Sequence, residues 1–423
     1  MLIRIAVAIY LFWSILLIAQ QPGLQYDEAL LVTDAVYMLH FRGVSTLPQD
    51  PNTWVSWGKI AFPLMTVRYV GPIKMYLCLP LFAIFGANAE VIRGVSVLLG
   101  AIGVWGFGAL IAYLAGPRAG GLAALALACQ PTFLSMTVFD NNAIAPIMAA
   151  LGALCFAIRA YLRAPSKLAA FSIGAAAGFG IWARANYLWL LIALGVALIV
   201  VVRRFQPMHV AAAAAGGVLC GSPFIVYQVV SRGGTWQGLG MFVEHGSLWE
   251  RIHARWYLLT ELLWTARENR AIWGGPELLE WQRWLAFGIL AAAVAVALWK
   301  GERAARIAAI ACVALAAIMM PSRLELSEHH LILLMPYAIA VTVLACTALR
   351  MRWLAITLAA ISLGSFVYWD VASMRGLART GGVGMWSDSI YDVADYLQSK
   401  YASTPIQVLD WGLGLNLFVL SQG

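Results

Sequence analysis

The chain has 423 residues, of which 62% are hydrophobic and only 11% charged, and its mean hydropathy is +0.80. Soluble domains carry about 25% charged residues, so this composition excludes a soluble protein and predicts an integral membrane protein with many spans. The formal net charge of +8 does not indicate a nucleic-acid partner, because most of the excess lies in short loops, where Lys and Arg set membrane topology.

Eleven apolar runs are predicted to cross the bilayer. They are 2–19, 91–114, 119–138, 143–162, 167–183, 187–202, 209–230, 284–299, 305–320, 330–349 and 352–368. The first is preceded by Arg4 and followed by no small-residue cleavage site, so we expect a retained helix rather than a signal peptide. The run 72–86 is shorter and contains Lys74 and Pro80, which is typical of an interfacial or re-entrant helix.

The basic loops predict the orientation. If the N-terminus is cytoplasmic and 72–86 does not cross, every basic short loop lies inside, as the positive-inside rule requires. These loops contain Arg118; Arg159, Arg163 and Lys167; Arg203 and Arg204; Lys300, Arg303 and Arg306; and Arg350 and Arg352. The prediction is therefore an all-α polytopic membrane protein with about 11 transmembrane helices. Its transmembrane domain is 1–369, with large outer loops at 20–90 and 231–283, and a small outer C-terminal segment follows at 370–423.

The outer segments carry weaker patterns. In the first loop an amphipathic stretch at 29–39 predicts a juxtamembrane helix, and a Pro/Asn-rich turn follows at 48–52. In the second loop Trp249, Trp256 and Trp264 can share one helical face in the headgroup zone, or form an ordinary aromatic belt. In the C-terminal segment, 387–401 reads as a helix with Asp388 near its start, and 405–411 as a strand.

Asp27 and Glu28 form an adjacent acidic pair just after the first span. One interpretation is that Asp27 caps a helix starting at Glu28, where carboxylates satisfy free N–H groups and favour the helix dipole. The other is a general base beside the membrane surface, which takes the proton of an attacking hydroxyl. The two interpretations are compatible, since a capped carboxylate is also well held.

Further polar groups fall on the predicted outer side. Asp140 and Asn141 form either a turn with a helix cap or a second site that binds a cation or the acceptor. Arg93 and Arg184 either anchor loops or neutralise a lipid phosphate. The run Glu328–His330 is either a polar helix start or a contact for a phosphate or sugar, with Arg323 neutralising charge. Lys74, Glu244 and His245 are further candidates.

No nucleotide-binding or hydrolase motif is present: the sequence lacks GxxxxGK[ST], GxSxG, HExxH and a GxGxxG in strand–helix context. The energy for a reaction must then reside in the substrate, which favours an activated lipid-linked donor.

The order of these features resembles the GT-C superfamily of polyprenyl-phosphate-dependent glycosyltransferases, in the branch of protein O-mannosyltransferases and of bacterial aminoarabinose and RgtA-like transferases. The resemblance rests on YDEA at 26–29, GPIKMYLCLPLFAIFG at 71–86, Arg93 with Ser96 and Gly100, and the stretch 116–143 that ends in VFDNNA. Arg184 and HHLILLMP fit more loosely. Relatives often carry His-Pro-Pro or Lys-Pro-Pro where this chain has Gly71-Pro72-Ile73-Lys74, and Arg-Tyr where it has His329-His330.

The resemblance implies an inverting transferase that moves a sugar from a polyprenyl-phosphate donor to an acceptor hydroxyl on a lipid, polysaccharide or protein. It implies a bacterial inner-membrane location with the active site on the periplasmic face, among membrane lipids. Asp27 would be the catalytic base, with Glu28 beside it, and Asp140 the second acid. Some members use a divalent cation (Mg, Mn or Zn), for which Asp27 and Asp140 are the candidate ligands.

Two other functions are compatible with parts of the sequence. A lipid or glycolipid transporter would keep ionisable groups near mid-span, whereas the predicted spans are nearly free of charge. A non-catalytic membrane scaffold would use its acids only as helix caps.

Overall fold

The computed structural model of the chain describes residues 1–40, 53–57, 60–202, 206–264, 267–349, 352–402, 404–409 and 412–423. Helices make up most of these residues, and within them strands are confined to one short hairpin. The expected all-α class is confirmed. The predicted turn at 48–52 and the basic residues Arg203, Arg204 and Arg350 lie outside the described residues.

The described residues up to 202 form ten helices and the hairpin. Helices α1 to α10 are Leu2–Ile18, Tyr26–Leu30, Thr33–His40, Ile73–Phe85, Ala89–Ala115, Pro117–Ala128, Pro131–Val138, Ile144–Arg163, Lys167–Ala183 and Tyr187–Val202. Strands β1 (Trp54–Trp57) and β2 (Ile60–Pro63) pair antiparallel, with Trp54 opposite Pro63. The hairpin and α2 to α4 all belong to the first predicted outer loop.

The second half continues as helices. Helices α11 to α22 are Pro207–Cys220, Ser222–Val230, Gly234–Leu239, Leu248–Trp264, Arg267–Trp273, Glu280–Lys300, Arg303–Met319, Glu328–Leu331, Met335–Ala348, Arg352–Thr380, Ser389–Tyr401 and Gly414–Leu420. A short 3₁₀ turn, Ile332–Leu334, joins α18 to α19.

Each of the eleven predicted apolar runs coincides with helix, but the count of eleven spans is not confirmed. Among the described residues, five helices are long and apolar enough to cross a membrane, or up to seven if each bent pair is one span. The bent pairs are α6–α7, at 62°, and α11–α12, at 65°. Helices α1, α9 and α10 have 17, 17 and 16 residues, fewer than the roughly 20 that a span typically needs.

Small residues bring the main helices close together. In α5, a Cβ added at Gly106 would lie 2.2 Å from the carbonyl oxygen of Gly152 in α8. In α9, a Cβ at Gly174 would lie 1.7 Å from the carbonyl oxygen of Ala213 in α11. Such contacts let backbones approach closely in a membrane, where helix association depends on packing rather than on the hydrophobic effect.

In addition to the core between the main helices, a separate buried apolar cluster forms a layer at one end of them. It combines residues of α2, α3 and α4 with the first turns of α5 and α8 and with α22. Its members include Leu24, Val36, Met75, Ile92 and Val419. This layer holds the acidic pair against the ends of the membrane helices.

The C-terminal segment differs from the prediction in two places. Helix α20 runs to Thr380, beyond the predicted end at 368, so Asp370 lies inside a helix and is only 2% exposed. The predicted helix after Asp388 is confirmed as α21, whose N-cap is Asp388. The predicted strand is wrong where it can be checked, because residues 405–409 are irregular; 410 and 411 lie outside the described residues.

Candidate active site

Helix α2 begins at Tyr26 and is capped by Gln25, so the expectation of a helix that starts at Glu28 with Asp27 as its cap is wrong. The Asp27 N–H donates to Gln25 Oε1 at 2.6 Å, and the Gln25 N–H donates to Glu28 Oε2 at 3.2 Å. This reciprocal arrangement satisfies two free helix donors. It uses Glu28 for capping and leaves the Asp27 carboxylate out of the cap.

Glu28 is fully buried and tied to Arg93 of α5. Arg93 Nε and Nη2 donate to its two carboxylate oxygens at 3.0 and 2.9 Å. The same guanidinium donates to the carbonyl oxygens of Pro22 and Gly23 and lies 5.0 Å from the ring centre of Phe139. A bidentate pair of this kind is strong and directional. Glu28 and Arg93 therefore fasten the start of α2 to the membrane helices.

Asp27 has a different environment. It is half-buried and makes no ion pair within the described part of the chain. Burial raises the pKa of its carboxyl, and Glu28 adds to the rise, while a hydrogen bond with Gln25 and the charge of Arg184 oppose it. A carboxylate with a raised pKa is a better proton acceptor near neutral pH.

Arg184 follows α9 directly and is 1% exposed. Burial lowers its pKa to about 10, and the opposing charges are those of Tyr69, Asp27 and Asp140. Its Nη1 donates to the carbonyl oxygen of His329 at 3.0 Å, whereas its Nε has no hydrogen-bond partner among the described residues. A buried cation with an unused donor is a ready site for an anionic group.

Asp140 is paired with Lys74, which the sequence had left as a separate candidate. Their Oδ2 and Nζ atoms lie 2.9 Å apart, and the side chains are 0% and 1% exposed. Asp140 Oδ1 accepts the N–H of Ala145, so it also caps α8. The carboxylate is thus neutralised by one helix (α4) while it stabilises the start of another.

The turn that carries Asp140 is strained. Asp140, Asn142 and Ala143 have φ values of 44°, 63° and 63°, in the left-handed region that β-carbons disfavour. Such residues cost about 1–3 kcal/mol each and cluster at functional sites. Asn141, predicted beside Asp140 as a ligand, is half-buried within this turn.

Two segments from distant parts of the chain meet beside Arg184. The Ala185 N–H donates to the carbonyl oxygen of Tyr69 at 2.9 Å, and the Gly71 N–H to that of Ala183 at 3.0 Å. At Gly71 an added Cβ would lie 2.1 Å from the carbonyl oxygen of Trp182. The departure from the His-Pro-Pro or Lys-Pro-Pro pattern therefore has a steric reason, because no side chain fits at this contact.

A cavity of about 280 Å³ opens beside Arg184. Aromatic rings line it together with polar groups; they include Tyr69, Trp189, Phe242, Asn142, Thr235, Glu325 and Ser327. The Asn186 amide also lines it, and neither its nitrogen nor its oxygen has a hydrogen-bond partner. Aromatic faces with a few convergent polar groups are typical of a binding site for a small ligand.

His329 and His330 also line this cavity, at the start of the late apolar run as predicted. Arg184 Nη2 lies 3.4 Å from His330 Nε2, and the Ser327 hydroxyl lies 3.0 Å from His329 Nδ1. Their neighbour Glu328 is half-buried in the same turn of α18. The histidines and Arg184 thus meet, although 145 residues separate Arg184 from His329.

Arg323, Glu244 and His245 lie elsewhere, around a shallow, open cavity that Arg251 also lines. Glu244 accepts Arg255 Nη2 at 2.5 Å. Arg255, which the sequence did not single out, is 1% exposed and donates to the carbonyl oxygens of Met319, Met320, Ser322 and Leu324. The sequence could not single out Arg255, because its partners are backbone carbonyl oxygens, and every residue type carries one.

The candidate metal ligands do not fit a shared divalent cation. Asp140 Oδ2 holds the Lys74 ammonium, which occupies the position a metal would take on that carboxylate, and Asp140 Oδ1 is used by Ala145. The positive charge of Arg184 acts on the Asp27 carboxylate, and it would repel a cation there. Across the residues that the structure describes, no three His, Cys, Asp or Glu side chains cluster as metal ligands. No step of the mechanism below uses a metal.

Residues 70–227 match the sequence profile of the family described as dolichyl-phosphate-mannose-protein mannosyltransferase. The match covers Lys74, Arg93, Asp140 and Arg184. The resemblance to the GT-C superfamily is confirmed. No curated protein matches the chain.

Solved structures of an archaeal oligosaccharyltransferase share the fold. The oligosaccharyltransferase of Archaeoglobus fulgidus, solved with zinc and sulfate, has 13% identity and a TM-score of 0.55 over 98% of this chain and 58% of that one. AglB from the same organism, solved with an inhibitory peptide and a dolichol-phosphate, has 13% identity and a TM-score of 0.52 over 99% of this chain and 63% of that one. A third structure, tethered to an acceptor peptide, has 12% identity and a TM-score of 0.50 over 97% of this chain and 60% of that one. The chain described here thus spans about three fifths of the length of each neighbour.

Proposed function

We propose that this protein is an inverting glycosyltransferase that moves a sugar from a polyprenyl-phosphate donor to an acceptor hydroxyl at the outer face of the membrane. The observation that carries the proposal is which of the three carboxylates form ion pairs and which does not. Glu28 and Asp140 are each neutralised by a buried cation, whereas Asp27 is within the electrostatic influence of Arg184 but makes no ion pair among the described residues. The mannosyltransferase profile over 70–227 supports the same chemistry.

In the proposed reaction Asp27 accepts the proton of the acceptor hydroxyl as its oxygen attacks the anomeric carbon. The bond between that carbon and the phosphate oxygen breaks, and the polyprenyl phosphate leaves with the electron pair. Attack opposite the leaving group inverts the anomeric centre. Arg184, with an unused Nε–H, stabilises the negative charge that grows on the phosphate.

In the proposed reaction, groups that line the cavity beside Arg184 recognise the sugar. Asn186 offers a donor and an acceptor without partners, and Trp189 and Tyr69 offer aromatic faces. A cavity of about 280 Å³ is at the small end of the usual range of about 300–1,000 Å³ for ligand sites. The proposed head group is therefore a single sugar and its phosphate.

In this mechanism Arg93, Glu28 and Lys74 act as holding residues rather than as phosphate ligands or bases. Their charges are already matched inside the protein. Lys74 supplies a fixed positive charge at Asp140, and Arg323 with Glu244 and His245 remains outside the proposed reaction centre.

The orientation is part of the proposal. Along the chain, the helix ends near Asp27, Arg184 and His329 alternate with the helix ends near Arg118, Arg163 and Lys300. If each helix or bent pair crosses once, the two sets of ends lie on opposite faces of the membrane. By the positive-inside rule the basic ends are cytoplasmic, which puts the site on the periplasmic face of a bacterial inner membrane.

A donor panel tests the function. Purified protein is incubated with polyprenyl-phosphate monosaccharides and a simple acceptor alcohol, and release of polyprenyl phosphate is measured. Release with one donor, together with a product of inverted configuration, is the expected result. Movement of a glycolipid across vesicles without any covalent product would favour a transporter instead. Folded protein that performs neither reaction would favour a scaffold.

A further inference from the structure

Pro22, Gly23 and Leu24, which precede α2, are hydrogen-bonded to the C-terminal segment of the chain. Asn416 Nδ2 donates to the carbonyl oxygen of Leu24 at 2.5 Å, and the Tyr391 hydroxyl donates to that of Pro22 at 2.9 Å. The Gly23 N–H donates to the carbonyl oxygen of Trp386 at 2.7 Å. Each of three consecutive residues just before the acidic pair thus makes one hydrogen bond with the C-terminal segment.

Packing reinforces these hydrogen bonds. A Cβ added at Gly23 would lie 2.1 Å from the carbonyl oxygen of Ser387, so the two backbones are in direct contact. On α3, Tyr37 stacks on Phe418 with ring centres 4.5 Å apart. Asn416 is 1% and Trp386 4% exposed. The contact is therefore a built interface and not a loose association of a chain end.

We propose that Trp386, Tyr391, Asn416 and Phe418, here called the C-terminal brace, position the Asp27 carboxylate for proton transfer. The proposal rests on the proposed role of Asp27 as the base. The four residues contact the segment before α2 and helix α3 rather than the Asp27 carboxylate itself, so they are positioning residues.

The brace is separable from the fold because Arg93 holds the same segment independently of the C-terminal segment. Its guanidinium donates to the carbonyl oxygens of Pro22 and Gly23 and to Glu28. Loss of one brace hydrogen bond removes only about 0.5–1.5 kcal/mol. A displacement of about 1 Å at a reacting group, by contrast, can lower a rate by about 10²-fold. Rate is therefore more sensitive to the brace than stability is.

Two variants test the brace, Tyr391→Phe and Asn416→Ala, with Tyr396→Phe as the matched control. Tyr396 lies on the same helix α21 and is 54% exposed, and no brace contact involves it. We expect a fall in kcat of about 10- to 10²-fold in the two brace variants, with KM for the donor changed less than about twofold and the control unchanged.

Two further measurements distinguish positioning from plain stability. Backbone deuterium uptake over residues 22–31 should rise in both brace variants but not in the control, because the carbonyl oxygen of Pro22 or of Leu24 loses a hydrogen bond and the segment opens more often. The acid limb of kcat/KM should move to lower pH, because a looser α2 exposes Asp27 to water and weakens the burial that raises its pKa.

Opposite results overturn the proposal. Unchanged uptake over 22–31 would show that the brace does not hold this segment, whatever the activity. A lower melting temperature with normal kcat per folded molecule and an unmoved acid limb would reduce the brace to a stability element. If wild type consumes no donor, the proposed function fails, and the uptake measurement alone still decides whether the brace holds the loop.

Discussion

The two faces of helix α2 carry neighbouring acids with opposite environments. Glu28 is fully buried, bonded through both oxygens to Arg93 and used again as a cap. Asp27 is half-buried and near a cation whose Nε has no partner. Consecutive residues on a helix project about 100° apart, so a single short helix can place two neighbouring carboxylates in different surroundings.

This difference between Glu28 and Asp27 indicates separate roles, a structural role for Glu28 and a chemical role for Asp27. A buried ion pair is stable only while both partners remain, because removal of one leaves an uncompensated charge. A reactive carboxylate must instead exchange a proton, which a bidentate pair with arginine would prevent. Four substitutions test this division.

The largest effect is expected for Asp27→Asn. If Asp27 is the base, turnover should fall by about 10²–10⁴-fold. The melting temperature at neutral pH should not fall, because the carboxylate makes no ion pair in the described structure and its burial disfavours the charged form. The measurement is polyprenyl-phosphate release at saturating donor. Near-normal turnover in folded Asp27→Asn protein would exclude the role.

The reverse pattern is expected for Glu28→Gln. The Arg93 guanidinium would lose its counter-charge, so unfolding free energy should fall by about 3–5 kcal/mol. Thermal unfolding in detergent measures this, and the residual folded fraction should keep an acid limb set by Asp27. A variant as stable as wild type would show that the ion pair contributes little to the fold.

An intermediate effect is expected for Arg184→Met. Loss of a charge-assisted hydrogen bond to the leaving phosphate, about 1.5–3 kcal/mol, corresponds to a roughly 10- to 10²-fold lower kcat/KM. Because Arg184 lowers the pKa of Asp27, its replacement should also move the acid limb to higher pH. An acid limb that stays in place would mean that the two charges do not interact.

The smallest effect is expected for Asp34→Asn in α3. Burial raises the pKa of Asp34 to about 7, so between about pH 4 and 7 the folded state binds more protons than the unfolded state. Wild-type stability should therefore fall as pH rises through this range. The variant should resemble wild type at pH 5 and be more stable at pH 8, as measured by thermal unfolding; equal pH dependence in both proteins would contradict this.

The sequence predicted the helical class, the apolar runs and the short helix α4 because these follow from local hydrophobicity and periodicity. The span count was not confirmed because helix length depends on bends that tertiary packing introduces, such as the breaks between α6 and α7 and between α11 and α12. Helix α20 extends past its predicted end because a buried Asp370 can continue a helix that hydropathy alone would stop.

In the site, the sequence singled out the right kinds of residue but not their pairings. Lys74 and Asp140 lie 66 positions apart and were separate candidates, yet they form one buried pair. Glu28 and Arg93 were likewise assigned apart. Pairing depends on which helices pack together, and a single sequence carries no signal for that. Asn186 escaped notice because a lone Asn has no motif.

The contact between Leu24 and Asn416 joins positions 392 residues apart, and so it can form only late in biosynthesis. A partly inserted chain would already expose Asp27 and the first helices to the lipid pool, but without the hydrogen bonds from α21 and α22. Under the brace proposal such a chain does not consume donor, because proton transfer awaits the synthesis of these two helices. The order of synthesis would then act as a timing control, which withholds activity until α21 and α22 have docked.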